Sequence, residues 1–250
     1  MGLGVAITWV GAVLLTIAAG RLHRFGRPVA RFERARGEAL LAIVAVLAQI
    51  IIIAALFAVR AAISSLPSTA PVELAPRYDL ARLLIQLALL AAAFSPVVAT
   101  LFVRRQGPTT VGLQTRDLIA QLVLGLAISV LAVLAVRKTG ALAAVGGPEL
   151  LRLAAFLAVG FEEEIVYRGF LQTRLVAWLG EPGGWVFASA IFALAHVPQD
   201  LVSDGPTLVL VVELALQLVF GLVFGWVVLR VGGVWATGIA HGVADWVGWL

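Results

Sequence analysis

Three consecutive acids, Glu162, Glu163 and Glu164, interrupt a long apolar run in the second half of the chain, and Arg168 follows them closely. Charged side chains at the centre of a bilayer cost about 2.5–3.5 kcal/mol each on insertion scales, so they persist mainly where they are paired or functional. Two of the chain's three histidines also lie in apolar runs. Carboxylates and imidazoles are the usual groups of acid–base catalysis. The pattern therefore indicates a buried reaction centre.

Helical spacing assigns these polar residues to faces. Residues four apart lie on one side of a helix, so Glu164 and Arg168 can form an ion pair. Glu163 is turned by about 100° from Glu164 and faces a different neighbour. His241 and Asp245 also share a face. The carboxylate can then hold the imidazole ring, or both can bind a third group.

The remaining histidine has an aromatic partner at the same spacing. Phe192 and His196 share a face, so the phenyl ring can wall the imidazole. A buried glutamate such as Glu163 can serve as a general base, and imidazole can carry a proton or donate a hydrogen bond to an oxyanion. A set of one glutamate, two histidines and one aspartate is also acceptable to zinc: Glu163, His196, His241 and Asp245.

Each motif alone has a simpler interpretation. The acids could form an interfacial patch, a lone histidine in a membrane helix is often only an interhelical hydrogen bonder, and His241 with Asp245 could be a structural pair near a helix end. With a rise of about 1.5 Å per residue, however, the acids and both histidines fall in one slab within the inner half of the bilayer. This shared depth favours one common site.

Composition places that site in a membrane protein. The 250 residues are 62% hydrophobic and 13% charged, whereas about half of a soluble domain is apolar. There is no cysteine, which excludes disulfides, thiolate nucleophiles and cysteine metal ligands. Most of the net charge of +4 lies in one connector. It therefore indicates membrane orientation rather than nucleic-acid binding.

The apolar runs predict an all-α, polytopic membrane protein of about eight transmembrane helices, with residues 1–250 forming a single integral membrane domain. The first run lacks a basic n-region and an obvious cleavage site, so we expect it to be retained. The sixth run is short for a full crossing. The predicted spans are 3–20, 39–63, 80–103, 118–136, 149–172, 184–197, 207–229 and 234–250.

The connectors predict the orientation. Six arginines lie between the first two spans, at positions 21, 24, 27, 31, 34 and 36, and mark that connector as cytoplasmic. Alternatively, this segment could lie on anionic lipid. Arg104, Arg105, Arg116 and Arg230 mark the inside again, whereas connectors 64–79 and 198–206 carry at most one basic residue. Both termini are therefore predicted outside, although Arg137 and Lys138 oppose the pattern.

Three ordered motifs resemble those of the CAAX-protease and bacteriocin-processing family, also called the Abi family: Glu163-Glu164-x-x-x-Arg168, Phe192-x-x-x-His196 and His241-x-x-x-Asp245. Gly169-Phe170 resembles the continuation of the first motif. The stretch 220–246, with Gly221 and Gly225, resembles the family sequence around the last histidine. The resemblance covers a catalytic core of about residues 145–250 and leaves the first four spans without a signature.

The resemblance implies an intramembrane endopeptidase on an all-helical fold of about eight spans. By that likeness Glu163 would activate a water molecule, assisted by His196. His241 and the residue four positions later would stabilise the oxyanion. Glu164 and Arg168 would be structural or would orient Glu163.

Position 245 departs from the family version that has asparagine there. An ionised aspartate cannot donate a hydrogen bond to an oxyanion, so Asp245 would have to be protonated, orient His241 or bind a metal. The family leaves open a glutamate protease or a metalloprotease, and hence a divalent metal cofactor such as zinc. Glu162 has no family counterpart.

Other functions remain as alternatives. The same fold could form a non-catalytic membrane immunity or scaffold protein, and Glu213 in the seventh span fits a transporter slightly, although no inverted repeat supports one. The sequence contains no His-Glu-x-x-His and no Gly-x-Ser-x-Gly. The expected partners are the lipid bilayer and a peptide or protein substrate, without nucleic acid, and the expected location is the plasma membrane of a prokaryote.

Overall fold

The computed structural model describes residues 2–26, 32–64, 78–136, 145–204 and 207–249, which are almost entirely helical. The helices are α1 (Gly2–Leu22), α2 (Ala35–Ser64), α3 (Leu80–Val103), α4 (Leu118–Val136), α5 (Gly147–Glu163), α6 (Thr173–Ala195), α7 (Val197–Asp204), α8 (Leu208–Val231) and α9 (Trp235–Trp249). A 3₁₀ turn, Pro108–Val111, precedes α4, and a π-helical segment, Glu164–Gln172, joins α5 to α6. These ranges contain no strand, so the all-α membrane fold is confirmed.

Within the described ranges, six helical stretches are long and apolar enough to cross a bilayer. The predicted fifth and sixth spans fall in a single stretch, Gly147–Leu201, and the predicted eighth span corresponds to α9, which has 15 residues. The long stretch bends at Gly180, whose φ of 78° is left-handed and favours glycine. The chain folds back there, because a Cβ on Gly184 would lie 2.2 Å from the backbone nitrogen of Val176. The predicted reversal is thus a kink, and about eight crossings is consistent with the structure.

One end of the bundle gathers charged residues from several helices. Glu38, buried at the start of α2, pairs with Arg104 after α3 at 2.6 Å and accepts a hydrogen bond from Gln106 at 2.9 Å. Arg174, buried at the start of α6, donates to the Phe170 carbonyl at 2.8 Å and to the side-chain oxygen of Gln106. The start of α2, the end of α3 and the start of α6 therefore lie at the same end.

Asp117 ties α1 to the start of α4 at that end. It adopts a left-handed φ of 60° and accepts hydrogen bonds from the Gly26 N–H at 2.9 Å and from His23 Nε2 at 2.8 Å. The Gly26 N–H and the His23 donor hold the pKa of Asp117 below its ordinary value. Val234, between α8 and α9, also joins this end by donating to the Gly112 carbonyl at 3.1 Å.

The helices thus alternate in direction in the order that the connectors predict, while the side of the membrane on which this end lies stays a prediction. Part of the charge pattern falls outside the described residues: Arg27, Arg31, Arg137, Lys138, and positions 65–77 and 205–206. Large apolar side chains are exposed around the described bundle, among them Val10, Phe102 and Val130. Such an apolar exterior fits a lipid environment.

Candidate active site

The acids lie where α5 changes into the π-helical segment, which begins at Glu164. π-Helical turns are rare, usually short, and frequent at functional sites. Eight of the nine residues in this segment are buried. At this junction, Glu162 bonds to a residue of α2, whereas Glu163 and Glu164 both approach a residue of α9.

The predicted Glu164–Arg168 ion pair is present and fully buried. Arg168 Nη1 lies 3.1 Å from Glu164 Oε1, and the two side chains are 2% and 0% exposed. The Thr237 hydroxyl, one helical turn before His241, donates to the Val234 carbonyl at 3.3 Å. The guanidinium lies over the ring of Phe192 at 3.9 Å from its centroid, a favourable arrangement for a desolvated cation. The pair therefore forms a rigid charged support inside the bundle.

His241 connects that support to the other acids. Its Nδ1 lies 3.2 Å from Glu164 Oε1, while its Nε2 lies 3.5 Å from Asp245 Oδ2 and 3.7 Å from Glu163 Oε2. Because an ionised carboxylate can only accept, the Nδ1–H donates to Glu164. This bond fixes the orientation of the ring and turns Nε2 towards Glu163 and Asp245.

Three phenylalanines enclose the imidazole of His241. The centroid of Phe220 lies 4.6 Å from that of His241, Phe224 lies at 6.1 Å, and Phe192 lies at 6.4 Å. Phe220 and Phe224 of α8 were not among the predicted site residues, although their spacing of four places both on one face. Thr237 was missed as well, one helical turn before His241. Packing on several sides restricts the ring to one position.

His196 packs against Phe192, one of the three rings around His241. Its Nδ1 is 2.9 Å from the Phe192 carbonyl oxygen, so Nδ1–H donates there and Nε2 is left for other partners. The two rings pack at 4.8 Å, as the sequence predicts. Among the described contacts no direct bond joins His196 to Glu163, so the predicted assistance stays a prediction.

Close backbone contact between α5 and α9 sets the separation of Glu163 and His241. A Cβ on Gly160 would lie 2.5 Å from the backbone nitrogen of Gly242, and a Cβ on Gly242 would lie 2.6 Å from Cα of Leu157. Glycines at such crossings let membrane helices approach closely. Gly160 lies within one helical turn of Glu163, and Gly242 lies next to His241.

Solvent exposure differs sharply among His241 and the three acids around it. The side chains of Glu163 and Asp245 are 21% and 40% exposed, whereas His241 is 6% exposed and Glu164 is fully buried. Glu163 Oε2 has no hydrogen-bond partner among the described residues. Glu163 is thus partly exposed with its Oε2 buried and without a hydrogen-bond partner in the described part of the chain, whereas Glu164 is fully buried and held through Oε1 by Arg168 and His241.

The described residues do not fit a metal site. They contain no group of three His, Asp or Glu side chains arranged to hold a metal ion, so the predicted ligands do not assemble as such a group: Glu163, His196, His241 and Asp245. In addition, Glu164 is occupied by the Arg168 guanidinium at 3.1 Å. That fixed cation repels a second one nearby.

A family model matches the part of the chain that holds this site. Residues 146–247 match the family described as Type II CAAX prenyl endopeptidase Rce1-like. The match covers all seven predicted site residues. No curated protein and no solved structure matches the chain. The resemblance predicted from the three motifs is thereby confirmed as a match of residues 146–247 to the Rce1-like CAAX prenyl endopeptidase family model.

Proposed function

We propose that the protein is an intramembrane endopeptidase in which Glu163 activates water to hydrolyse a peptide bond of a membrane-embedded or membrane-delivered substrate. The observation that carries this proposal is the placement of Glu163 Oε2, unpartnered and 3.7 Å from His241 Nε2, within the segment that matches a peptidase family. The six apolar stretches support a multi-pass membrane location. We place the protein in the plasma membrane of a prokaryote.

In the proposed reaction, Glu163 accepts a proton from a water molecule as the water oxygen bonds to the peptide carbonyl carbon. The carbonyl oxygen becomes an oxyanion. Glu163 then returns the proton to the leaving amine as the C–N bond breaks. General acid–base catalysis of this kind contributes about 10²–10⁴-fold to the rate.

The two histidines are the proposed groups for the oxyanion. His241 is held through Nδ1 by Glu164 and directs Nε2 towards Glu163, where a protonated Nε2 can donate to the developing charge. His196, held through Nδ1 by a backbone carbonyl, can donate through its own Nε2. Removing one such donor costs about 10²–10³-fold in kcat in known peptidases.

Asp245 is proposed to orient His241 rather than to contact the oxyanion. Its carboxylate lies 3.5 Å from Nε2 of His241, and an ionised carboxylate has no proton to donate. Arg168 and Glu164 are proposed to act through His241, because the contact of Glu164 is with the imidazole. The alternative that they orient Glu163 directly receives no support from these distances.

The experiment is cleavage of lipid-anchored fluorogenic peptides, with and without a prenylated cysteine, by protein reconstituted in liposomes. Glu163→Gln should lower kcat by about 10²–10⁴-fold. Glu149→Gln is the control, because Glu149 pairs with Arg152 at the far end of α5 and should leave kcat unchanged. Equal activity of wild type and Glu163→Gln would refute the proposal. Preference for the prenylated peptides tests whether the substrate class of the family name applies to this chain.

A further inference from the structure

Glu162 is a buried acid that neither the family motifs nor the proposed chemistry uses. It is 7% exposed, and its Oε1 accepts a hydrogen bond from Gln49 Nε2 at 2.6 Å. Gln49 is 0% exposed and lies on α2, outside the segment that matches the family. This bond therefore links the first half of the chain to the acid next to Glu163.

The two neighbours of Glu163 are anchored to different helices. Glu162 bonds to α2 through Gln49, while Glu164 bonds to His241 of α9 and pairs with Arg168. The helix changes from α to π geometry between them, so the rotation of the backbone at Glu163 is not set by one regular repeat. Glu162 and Glu164, each bonded to a different helix, can set that rotation instead.

We infer that Gln49 and Glu162 form a positioning pair that holds Glu163 in line with His241, an inference that rests on the proposed endopeptidase function. Catalysis is sensitive to such alignment, since a displacement of about 1 Å at a reacting group can cost 10²-fold in rate. The pair contributes less to stability than a fully hydrogen-bonded pair would, because Gln49 Oε1 has no partner among the described residues. Replacing both members of a buried polar pair with apolar residues is often close to neutral for folding, whereas removing one member leaves the other unpaired and destabilises the fold. Activity per folded protein therefore has to be measured beside stability.

Three substitutions separate hydrogen bonding from charge. Gln49→Leu removes the donor at similar volume. Glu162→Gln keeps an acceptor oxygen and adds an N–H₂ that can reach Gln49 Oε1. The exchange of Gln49→Glu with Glu162→Gln reverses donor and acceptor while keeping the bond. Gln121→Leu is the matched control, because Gln121 is equally buried, at 1% exposure, on α4.

The measurements are kcat, KM and the thermal midpoint in liposomes or micelles. We expect Gln49→Leu to lower kcat per folded protein about tenfold or more with KM little changed, and to lower the thermal midpoint as well, because Glu162 loses its donor; Gln121→Leu should lower the midpoint without the loss of kcat. Glu162→Gln and the exchanged pair should both keep kcat within about threefold of wild type. The exchanged pair also provides the test if Gln49→Leu does not fold.

Two results would overturn the inference. One is full activity of folded Gln49→Leu, and the other is an exchanged pair as slow as Gln49→Leu. Glu163→Gln, measured in the same series, separates the two proposals. If Glu163→Gln is inactive while Gln49→Leu is fully active, only the positioning role fails. If Glu163→Gln is fully active, the proposed function itself fails.

Discussion

The Glu164–Arg168 pair is the feature whose loss should cost the most stability. Arg168→Met keeps much of the side-chain volume and removes the charge, which leaves Glu164 at 0% exposure without its cation. Removing one partner of a buried pair costs about 3–5 kcal/mol. Glu164 would still accept the hydrogen bond from His241, which favours the lower figure. The contact of the guanidinium with Phe192 at 3.9 Å is lost as well, and can add about 2 kcal/mol in a desolvated site.

We therefore expect Arg168→Met to lower the free energy of unfolding by about 3–5 kcal/mol, which is about two to four orders of magnitude in the folded-to-unfolded ratio. The assay is reversible unfolding in mixed micelles, followed by far-UV circular dichroism. Combining Arg168→Met with Glu164→Gln removes both charges. The double variant should recover at least half of the loss, since a buried pair replaced as a whole is often neutral.

Activity provides the second readout of the same variants. The double variant should be less active than wild type although it is more stable than Arg168→Met, because a neutral amide oxygen holds Nδ1 of His241 more weakly than the Glu164 carboxylate does. The reasoning would be wrong if Arg168→Met were as stable as wild type. It would also be wrong if the double variant were no more stable than the single one.

Three further predictions concern other parts of the molecule. Gly160→Ala should force α5 away from α9, since the new Cβ would lie 2.5 Å from a backbone atom. It should lower the free energy of unfolding by about 1–3 kcal/mol in the same assay. Gly147→Ala, whose Cβ would have no atom within 4 Å, should leave the free energy of unfolding unchanged. Phe220→Ala should free the His241 ring and lower kcat about 10–100-fold, whereas Phe187→Ala at a 43% exposed position should leave kcat unchanged. Because the pKa of Asp117 is lowered from 3.8, its ionised form stabilises the fold above that value, and the stabilisation is lost as pH falls through the lower folded value. The midpoint difference between wild type and Asp117→Asn should thus be larger at about pH 5 than at about pH 3, and equal differences at both would contradict it.

Much of the fold follows from the sequence because the lipid environment imposes simple rules. Long apolar runs must be helices, and these runs give the first four spans and the seventh. The reversal between the predicted fifth and sixth spans does not follow from this rule. Gly180 lies within continuous helical structure, so only its left-handed backbone, rather than a polar loop, marks the reversal. The predicted eighth span is also found, as α9, although its 15 residues are short for a full crossing.

The site was predictable as far as helical spacing reaches. Positions four apart give the Glu164–Arg168 pair and the approach of His241 to Asp245. Spacing does not reveal which helices face each other, so the bond from Glu164 to His241 and the packing of Phe220 could not be derived. Glu162 is the clearest case, since its partner Gln49 lies 113 positions away on α2 and shares no motif with it.

The central claim is that Glu163 and His241 act on the same chemical step, and a double-mutant cycle in kcat/KM tests it most directly. The cycle uses Glu163→Gln, His241→Gln and the double variant, all reconstituted at equal folded concentration. The two residues lie 3.7 Å apart, and groups that act as a unit show strongly non-additive losses. We expect the double variant to be about as slow as the slower single variant. Losses that multiply, or a single variant with wild-type kcat/KM, would contradict the account.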